Sequence, residues 1–280
     1  MNINAHVCAT QERFAPQKRG IIMLTIRRQE EILEILNKNK QATVEELAAE
    51  LFVSGATIRR DLSAMEKQGL IRRSHGGAIP FRSTAEESAF ALREQENTSA
   101  KRTIAALAFR LVKNGHSLFL DSSTTTGFLI PLFNNLKYLS VTTIGLRNAL
   151  LLSQTNNVKI YIAGGQISNH SNSITGSDTI DYISRIHADV AFLSCSGIDL
   201  SSGFTDADIE QSKLKRQMRK NSAIVAVLCD STKFGKTFMC TDFDFGEVDY
   251  LITDKKPSEE YYKKLTEAGC TIIAPEEGIF

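Results

Sequence analysis

The hydrophobic positions of this chain change rhythm near residue 100. Ahead of that point Ile26, Leu33 and Leu36, flanked by Ile32 and Ile35, recur at helical spacing and predict a first amphipathic helix that ends over 37–40. Thr43-Val-Glu-Glu46 has the form of a capping box opening a second, short helix that buries Leu47 and Leu51. Ser54 is a good N-cap for a third helix, which buries Ile58, Leu62 and Met65 and stops at Gly69, a residue suited to a left-handed cap. A tight turn at Phe52-Val53 joins the second and third helices. Beyond residue 100 helical and strand patterns alternate. Helices are expected roughly over 101–113, 126–135, 145–154, 177–186, 208–220 and 258–268, and strands over 117–121, 139–143, 158–163, 189–194, 223–229, 248–253 and 270–274. That alternation predicts an α/β domain on a mostly parallel sheet wound on both faces. In such sheets ligands bind outside the carboxyl ends of the strands.

The inward positions of the third helix leave Gly55, Ala56, Arg59, Arg60 and Ser63 on its sides and outer face. Charge sharpens this division. Residues 24–50 carry four cations against six glutamates, whereas residues 57–82 carry six cations against Asp61 and Glu66. Residues 70–79, LIRRSHGGAI, suit a small hairpin whose arginines can reach phosphates beside a groove entered by the helix. An isolated Arg-Arg pair is usually a solvated helix face. On the second helix of a helix-turn-helix, next to a basic hairpin, it reads as a DNA contact. Candidate DNA-binding residues are Ser54, Gly55, Thr57, Arg59, Arg60, Arg72, Arg73, His75 and Gly76; His75 is read first as a turn residue and second as a phosphate contact.

Whole-chain composition makes any nucleic-acid signal a local one, since 33 Lys+Arg against 32 Asp+Glu leave a formal net charge of +1. The 280 residues, 42% hydrophobic, suit two domains, one of them small. Residues 1–22 have no periodicity and read as a disordered arm or an over-extended start ahead of Met23, residues 24–80 as a DNA-binding module, 81–99 as a polar linker whose tail is compatible with helix, and 100–275 as the larger domain. Cys8, Cys195, Cys229, Cys240 and Cys270 form no C-x-x-C pair, so neither a disulfide framework nor a metal site is expected. A reducing cytosol is the simpler setting. No apolar run reaches the ~18 residues of a membrane span, and the expectation is a cytoplasmic protein with no membrane partner.

Strand ends in the larger domain repeat one chemistry. Leu120-Asp-Ser-Ser-Thr-Thr-Thr-Gly127 is a hydroxyl-rich turn between a strand and a helix, where backbone N–H groups and hydroxyls suit a phosphate and the Asp121 carboxylate suits sugar hydroxyls. A plain N-cap is the competing explanation of such a stretch. Thr142-Thr143, Ala163-Gly164-Gly165, Ser194-Cys-Ser-Gly197 and Cys229-Asp-Ser-Thr-Lys-Phe-Gly235 end other strands in the same manner. On the helix over 208–220, Lys213, Arg216 and Lys220 read as a solvated face, while Lys215, like Lys233, is placed to neutralise a bound phosphate. Candidate effector-binding residues are therefore Asp121, Ser122, Ser123, Thr124, Thr125, Thr142, Gly164, Gly165, Gly197, Lys215, Asp230 and Lys233. Neither a P-loop nor a dinucleotide fingerprint occurs, and no cofactor is expected.

The motifs Val-Ser-x-x-Thr-Ile-Arg-Arg-Asp-Leu (53–62), then Gly69, Arg72 or Arg73, and His-Gly-Gly-Ala (75–78), resemble the winged helix-turn-helix of the DeoR family of bacterial transcription regulators. The resemblance extends through Leu-Asp-Ser-Ser-Thr-Thr (120–125), Gly164-Gly165, Gly203-Phe-Thr, Leu214-Lys-Arg-x-Met218 and Asp230-Ser-Thr-Lys-Phe-Gly235, nearly the whole of 24–275. It implies an N-terminal winged helix-turn-helix followed by a mostly parallel α/β sensor domain similar to sugar-phosphate isomerases of the ribose-5-phosphate type. It also implies a homo-oligomeric repressor of a carbohydrate uptake or catabolic operon, bound to double-stranded operator DNA and released by a phosphorylated sugar. The chain departs from the family at Thr143, where Asn is usual, at Gln211, where Glu is common, and at Ser122-Ser123, in place of a small-Gly pair. The rival function is a sugar-phosphate isomerase carrying a DNA-binding tether, which needs a carboxylate base; Asp206, Asp208 and Glu210 are near enough in sequence to be weighed.

Overall fold

The computed structural model describes residues 25–275 apart from 26, 30, 37–38, 68–69, 75 and 81–89. Expectations for the leader, Ile26, the end of the first helix at 37–38, the Gly69 cap, His75 and the first part of the linker lie outside the described residues. The chain divides into two compact units between Phe81 and Arg82.

In the first unit a helix that includes residues 31–36 (α1) precedes β1 (Ala42–Thr43), α2 (Val44–Glu50), α3 (Gly55–Lys67), β2 (Ile71–Ser74) and β3 (Gly77–Pro80). The capping box forms as the sequence indicates: Glu46 N–H donates to Thr43 Oγ1 at 3.2 Å, and Thr43 N–H donates to Glu46 Oε2 at 2.7 Å. Ile32, Leu36, Leu47, Ile58, Leu62 and Met65 are all fully buried and form the small core. Arg28 reaches across it to Asp61, with Nε 2.5 Å from Oδ2 and Nη2 3.1 Å from Oδ1, so the buried carboxylate is paired in fork geometry. β2 and β3 form the hairpin, and β1 adds to β3 so closely that a Cβ on Gly77 would lie 2.2 Å from the Ala42 carbonyl oxygen.

The second unit opens with α4 (Phe90–Gln95) and α5 (Thr98–Ala108), so the linker expected over 81–99 is already helical from Phe90. Then follow β4 (Ser117–Leu120), α6 (Thr124–Gly127), β5 (Leu139–Thr143), α7 (Leu146–Leu152), β6 (Val158–Ile162), β7 (Gln166–Ser168), β8 (Ser173–Thr175), α8 (Ser177–Ser184), β9 (Ala188–Leu193), β10 (Gly197–Asp199), β11 (Gly203–Asp206), α9 (Ile209–Lys220), β12 (Ser222–Leu228), β13 (Cys240–Phe243), β14 (Tyr250–Ile252), α10 (Glu259–Glu267) and β15 (Thr271–Ile273). Seven strands form one parallel sheet in the order β15-β14-β12-β9-β4-β5-β6. Period-two alternation feeds two cores: Phe119, Ala191 and Val227 pack with Ile183, Leu214 and Met218 on one face, and Leu118, Phe192 and Ala226 pack with Ile104, Ala108 and Phe133 on the other.

Two expectations need correction. The single helix over 126–135 is instead the one-turn α6 and a separate 3-10 helix, Ile130–Asn135, because Pro131 brings no N–H and begins a new helical segment. The expected strands also omit the hairpin β7–β8 and the three-stranded antiparallel sheet β10-β11-β13, since each of these strands is only three or four residues and rich in Gly, Ser and Thr. Among the described residues no helix is long and apolar enough to cross a membrane.

Phe52, in the turn between α2 and α3, has a left-handed backbone (φ 53°) and is 94% exposed. A bulky side chain there costs about 1–2 kcal/mol in backbone energy and gains no burial. Phe52→Gly is expected to raise the stability of the first unit by about 1 kcal/mol in a denaturant titration; a destabilised variant would show that the ring is packed in solution.

Candidate DNA and effector sites

The first unit presents the side chains of α3 as its charge pattern indicates. Ser54 accepts from Thr57 N–H at 3.2 Å and caps the helix, while Arg59, Arg60 and Ser63 are exposed. The Arg59 guanidinium lies back along its own helix, 3.5 Å from the point a Cβ on Gly55 would occupy, and 3.8 Å from Glu45 Oε1. A surface pair of that kind is weak enough to exchange for a phosphate. In the hairpin, strand alternation separates the two wing arginines. Arg72 is exposed, whereas half-buried Arg73 shares the face of buried Ile71 and takes a backbone contact from its own N–H to Glu66 Oε1 at 3.2 Å. Arg72 is thus the more outward of the two. Gly76 turns the hairpin with φ +79°.

In the second unit the carboxyl ends of β4, β9 and β12 lie side by side. Asp121, just past β4, is fully buried: Oδ1 accepts from Ser123 N–H and Thr126 Oγ1, each at 2.9 Å, and Oδ2 accepts from Ser194 N–H at 2.7 Å. Its backbone carbonyl accepts from Asn148 Nδ2 at 2.8 Å. Lys215 on α9 reaches the same point. Its ammonium donates to the Ser194 carbonyl at 2.6 Å and to Asp206, and lies 3.7 Å from Asp121 Oδ2. Burial opposes this charge, but the carboxylates of Asp206 and Asp121 hold the Lys215 pKa above the ordinary lysine value. Asp206 stays below the ordinary carboxylate range because Lys215 and its hydrogen bonds outweigh its burial. Asp242, buried next to Asp206, is pushed well above that range, first by burial and then by the charge of Asp206. Its neutral acid form is the one that fits.

Asp121 and Lys215 thus contact one another and backbone groups, and in doing so they shape the strand-end turns. Ser122 is likewise engaged, donating to Gln211 Oε1 at 2.7 Å, while Gln211 Nε2 donates to Ser173 Oγ at 2.6 Å. Ser123 caps α6, so the capping explanation of the hydroxyl-rich turn holds for that residue. Gly165 and Gly197 are required by packing, since a Cβ on either would lie 2.2 Å from Thr179 Oγ1 or 2.3 Å from the Lys236 carbonyl oxygen. Gly164, also past the edge strand β6, gives its carbonyl to Thr179 Oγ1 at 2.9 Å. Thr142 is buried within β5. Lys213 pairs with Glu210 at 2.7 Å, as a solvated face should.

A second cluster, only partly anticipated, lies over the same strand ends. Lys101 on α5 is 4% exposed and donates to the Arg93 carbonyl, which also accepts from Thr124 Oγ1 at 3.3 Å. Asn97, in a left-handed conformation before α5, donates from Nδ2 to Asp230 Oδ1 at 3.3 Å and to Thr232 Oγ1 at 3.4 Å. The segment from α4 into α5 therefore bridges the turn after β4 and the turn after β12. Burial, and then the nearby charge of Lys233, push the Lys101 pKa down to about 8; Asp230 and Glu96 partly offset this and Arg93 adds to it. Sequence patterning missed Arg93, Asn97 and Lys101, although Lys101 carries a signal: it occupies the buried stripe of α5 three and four residues before Ile104 and Ala105.

Lys215→Met strands the Asp206 charge in the interior and is expected to cost about 3–5 kcal/mol in a denaturant titration. Asp242→Asn, which mimics the protonated acid, is expected to cost under about 1 kcal/mol. Equal losses from both would show that Asp242 is ionised and that the charge balance is different.

Comparison with known proteins places both units. The model of the DeoR-like helix-turn-helix domain matches residues 28–84, and that of the DeoR C terminal sensor domain matches residues 96–255. The HTH-type transcriptional regulator GolR of Listeria innocua is 35% identical over 254 residues, covering 91% of this chain and 100% of that protein. The glycerol-3-phosphate regulon repressor of Escherichia coli is 31% identical over 236 residues, covering 84% of this chain and 93% of that protein. Among solved structures, ribose 5-phosphate isomerase from Plasmodium falciparum aligns at a TM-score of 0.36 with 14% identity, over 50% of this chain and 53% of that one. With a sensor model spanning more than half of its length and a 35%-identical relative spanning nearly all of it, the chain belongs to the DeoR family of transcriptional regulators.

Proposed function

We propose that this regulator is a homo-oligomeric, cytoplasmic repressor of a carbohydrate uptake or catabolic operon, that it reads operator DNA through α3 and the wing, and that a phosphorylated sugar at the strand-end cluster of the second unit releases it. The observation that supports the effector part is buried Lys101 beside Lys233, Arg93 and the hydroxyl-rich turns. Burial and the neighbouring cations work against the Lys101 charge, and a phosphate dianion seated there would favour it. Thr124, Thr125 and the N–H groups of the turn after β4 supply donors, and Asp230, already held by Asn97 and Thr232, fixes the far wall.

The isomerase alternative fits less well. Gln211 is an amide and cannot take a proton, Asp208 is spent capping α9 through Glu210 N–H at 2.8 Å, and Asp206 is bound to Lys215. The proposed function therefore assigns no turnover. A thermal-shift screen of sugar phosphates tests it, since a ligand at ~100 times its dissociation constant adds about 2.7 kcal/mol.

One small helix-turn-helix module buries too little surface for tight reading of a single site, so the expected operator is a repeated half-site. Arg59→Ala and Arg60→Ala are each expected to weaken operator binding. Loss of a phosphate contact lowers affinity on all sequences and reduces the salt slope by about one, whereas loss of a bidentate base contact costs ~1–3 kcal/mol at one position. Unchanged affinity in both variants would remove α3 from the interface.

Lys101→Met is expected to abolish the thermal shift and operator release produced by the best sugar phosphate of that screen, with operator binding retained. Because the unliganded pKa of Lys101 is about 8, effector binding above that pH must recruit a proton. Affinity should then fall by up to tenfold per pH unit above about 8, while the phosphate, with a second pKa near 6, stays dianionic. Calorimetry across that range showing flat affinity would exclude Lys101 from the site.

A further inference from the structure

The seven-stranded sheet ends at β6, whose only strand neighbour among the described residues is β5. β6 is Val-Lys-Ile-Tyr-Ile, a strongly strand-forming sequence with one charge and no proline. Tyr161 and Ile162 are 44% and 42% exposed, and Leu150 on α7, which packs on β6, and Ile167 on β7 are more exposed still. A five-residue hydrophobic edge with free N–H and C=O groups is a template for another strand, and proteins normally blunt such edges.

The order of residues in β6 selects the partner. We infer that β6 pairs antiparallel with β6 of a second copy of this chain about a two-fold axis at Ile160, joining two seven-stranded sheets into one. That axis sets Val158 opposite Ile162 of the second copy and Lys159 opposite its Tyr161. On one face three apolar pairs then run in a row; on the other, each ammonium faces an aromatic ring, a favourable cation–π arrangement. Moving the axis one residue earlier puts Lys159 directly against Lys159, and one residue later leaves Val158 unpaired. A two-fold contact is self-complementary by construction, and β6 meets that condition at one register. Leu150 and Ile167 extend the apolar surface beyond the strand towards the roughly 800 Å² per partner of stable interfaces.

The inference deepens the homo-oligomeric reading above, and its test needs neither DNA nor effector, so failure here leaves the operator and effector assignments standing. Sedimentation of the full-length protein is expected to give an even-numbered assembly. Tyr161→Lys, which creates two Lys–Lys oppositions, should halve the sedimenting mass, and adding Lys159→Glu to it should restore the mass by turning those oppositions into ion pairs. Ile160→Cys should cross-link two chains under mild oxidation, well above the wild-type background, while Lys159→Cys should not. Restoration by the double variant separates a broken interface from a misfolded chain, and unaltered circular dichroism of the single variant checks the same point. A monomeric wild type, or a Tyr161→Lys protein of unchanged mass with no Ile160→Cys cross-link, overturns the β6 pairing.

Discussion

The second unit is organised around one buried charge pair. Lys215 arrives from α9, Asp121 from the end of β4, and Asp206 from the end of β11, and each would be prohibitively costly in the interior without the others. Because Asp121 also accepts from Ser123, Thr126 and Ser194, the pair fixes the turns after β4 and β9 relative to one another. It also ties the small antiparallel sheet to the large parallel one through β11. The residues with the most conspicuous chemistry in this domain therefore also hold its strand-end turns together.

A second layer lies over those turns. Lys101, Arg93 and Lys233 belong to segments at the same strand ends, where Asp230 and Glu96 act on Lys101 against the two other cations. The contrast appears in the directions of the two lysine pKa shifts. The carboxylates of Asp206 and Asp121 raise the pKa of Lys215, whereas burial and a neighbouring lysine lower that of Lys101. The hydrogen-bonded floor around Asp121 is already organised without a ligand, which is the condition under which fixed polar groups act without reorganising.

α4 and α5 belong to that second layer and also follow the segment that connects the two units, so the chain entering the sensor domain is the chain that covers its candidate site. An effector can alter DNA affinity only through differential contact with two arrangements of the protein. Glu94, ion-paired with Arg147 on α7 at 2.8 Å, and Asn97, bonded to Asp230, are contacts that hold this segment in place.

Periodicity and motif spacing by themselves determined the helix-turn-helix, its capping box and core, the alternating α/β order and the strand-end location of the polar turns. Those features depend on local backbone preference and on which face is apolar, both of which are written in neighbouring residues. Tertiary structure alone decided which partners the polar residues meet. Asp121, Ser122 and Lys215 each contact a partner 70 or more residues away, and Gly165 and Gly197 are held by close packing, none of which is written in their neighbours. Lys101, hidden in an ordinary amphipathic helix, acquires its distinction only when α5 is laid across the ends of β4 and β12. The division follows from range: local patterns encode local order, whereas the protonation and availability of a buried group are set by charges that the fold brings within a few ångströms.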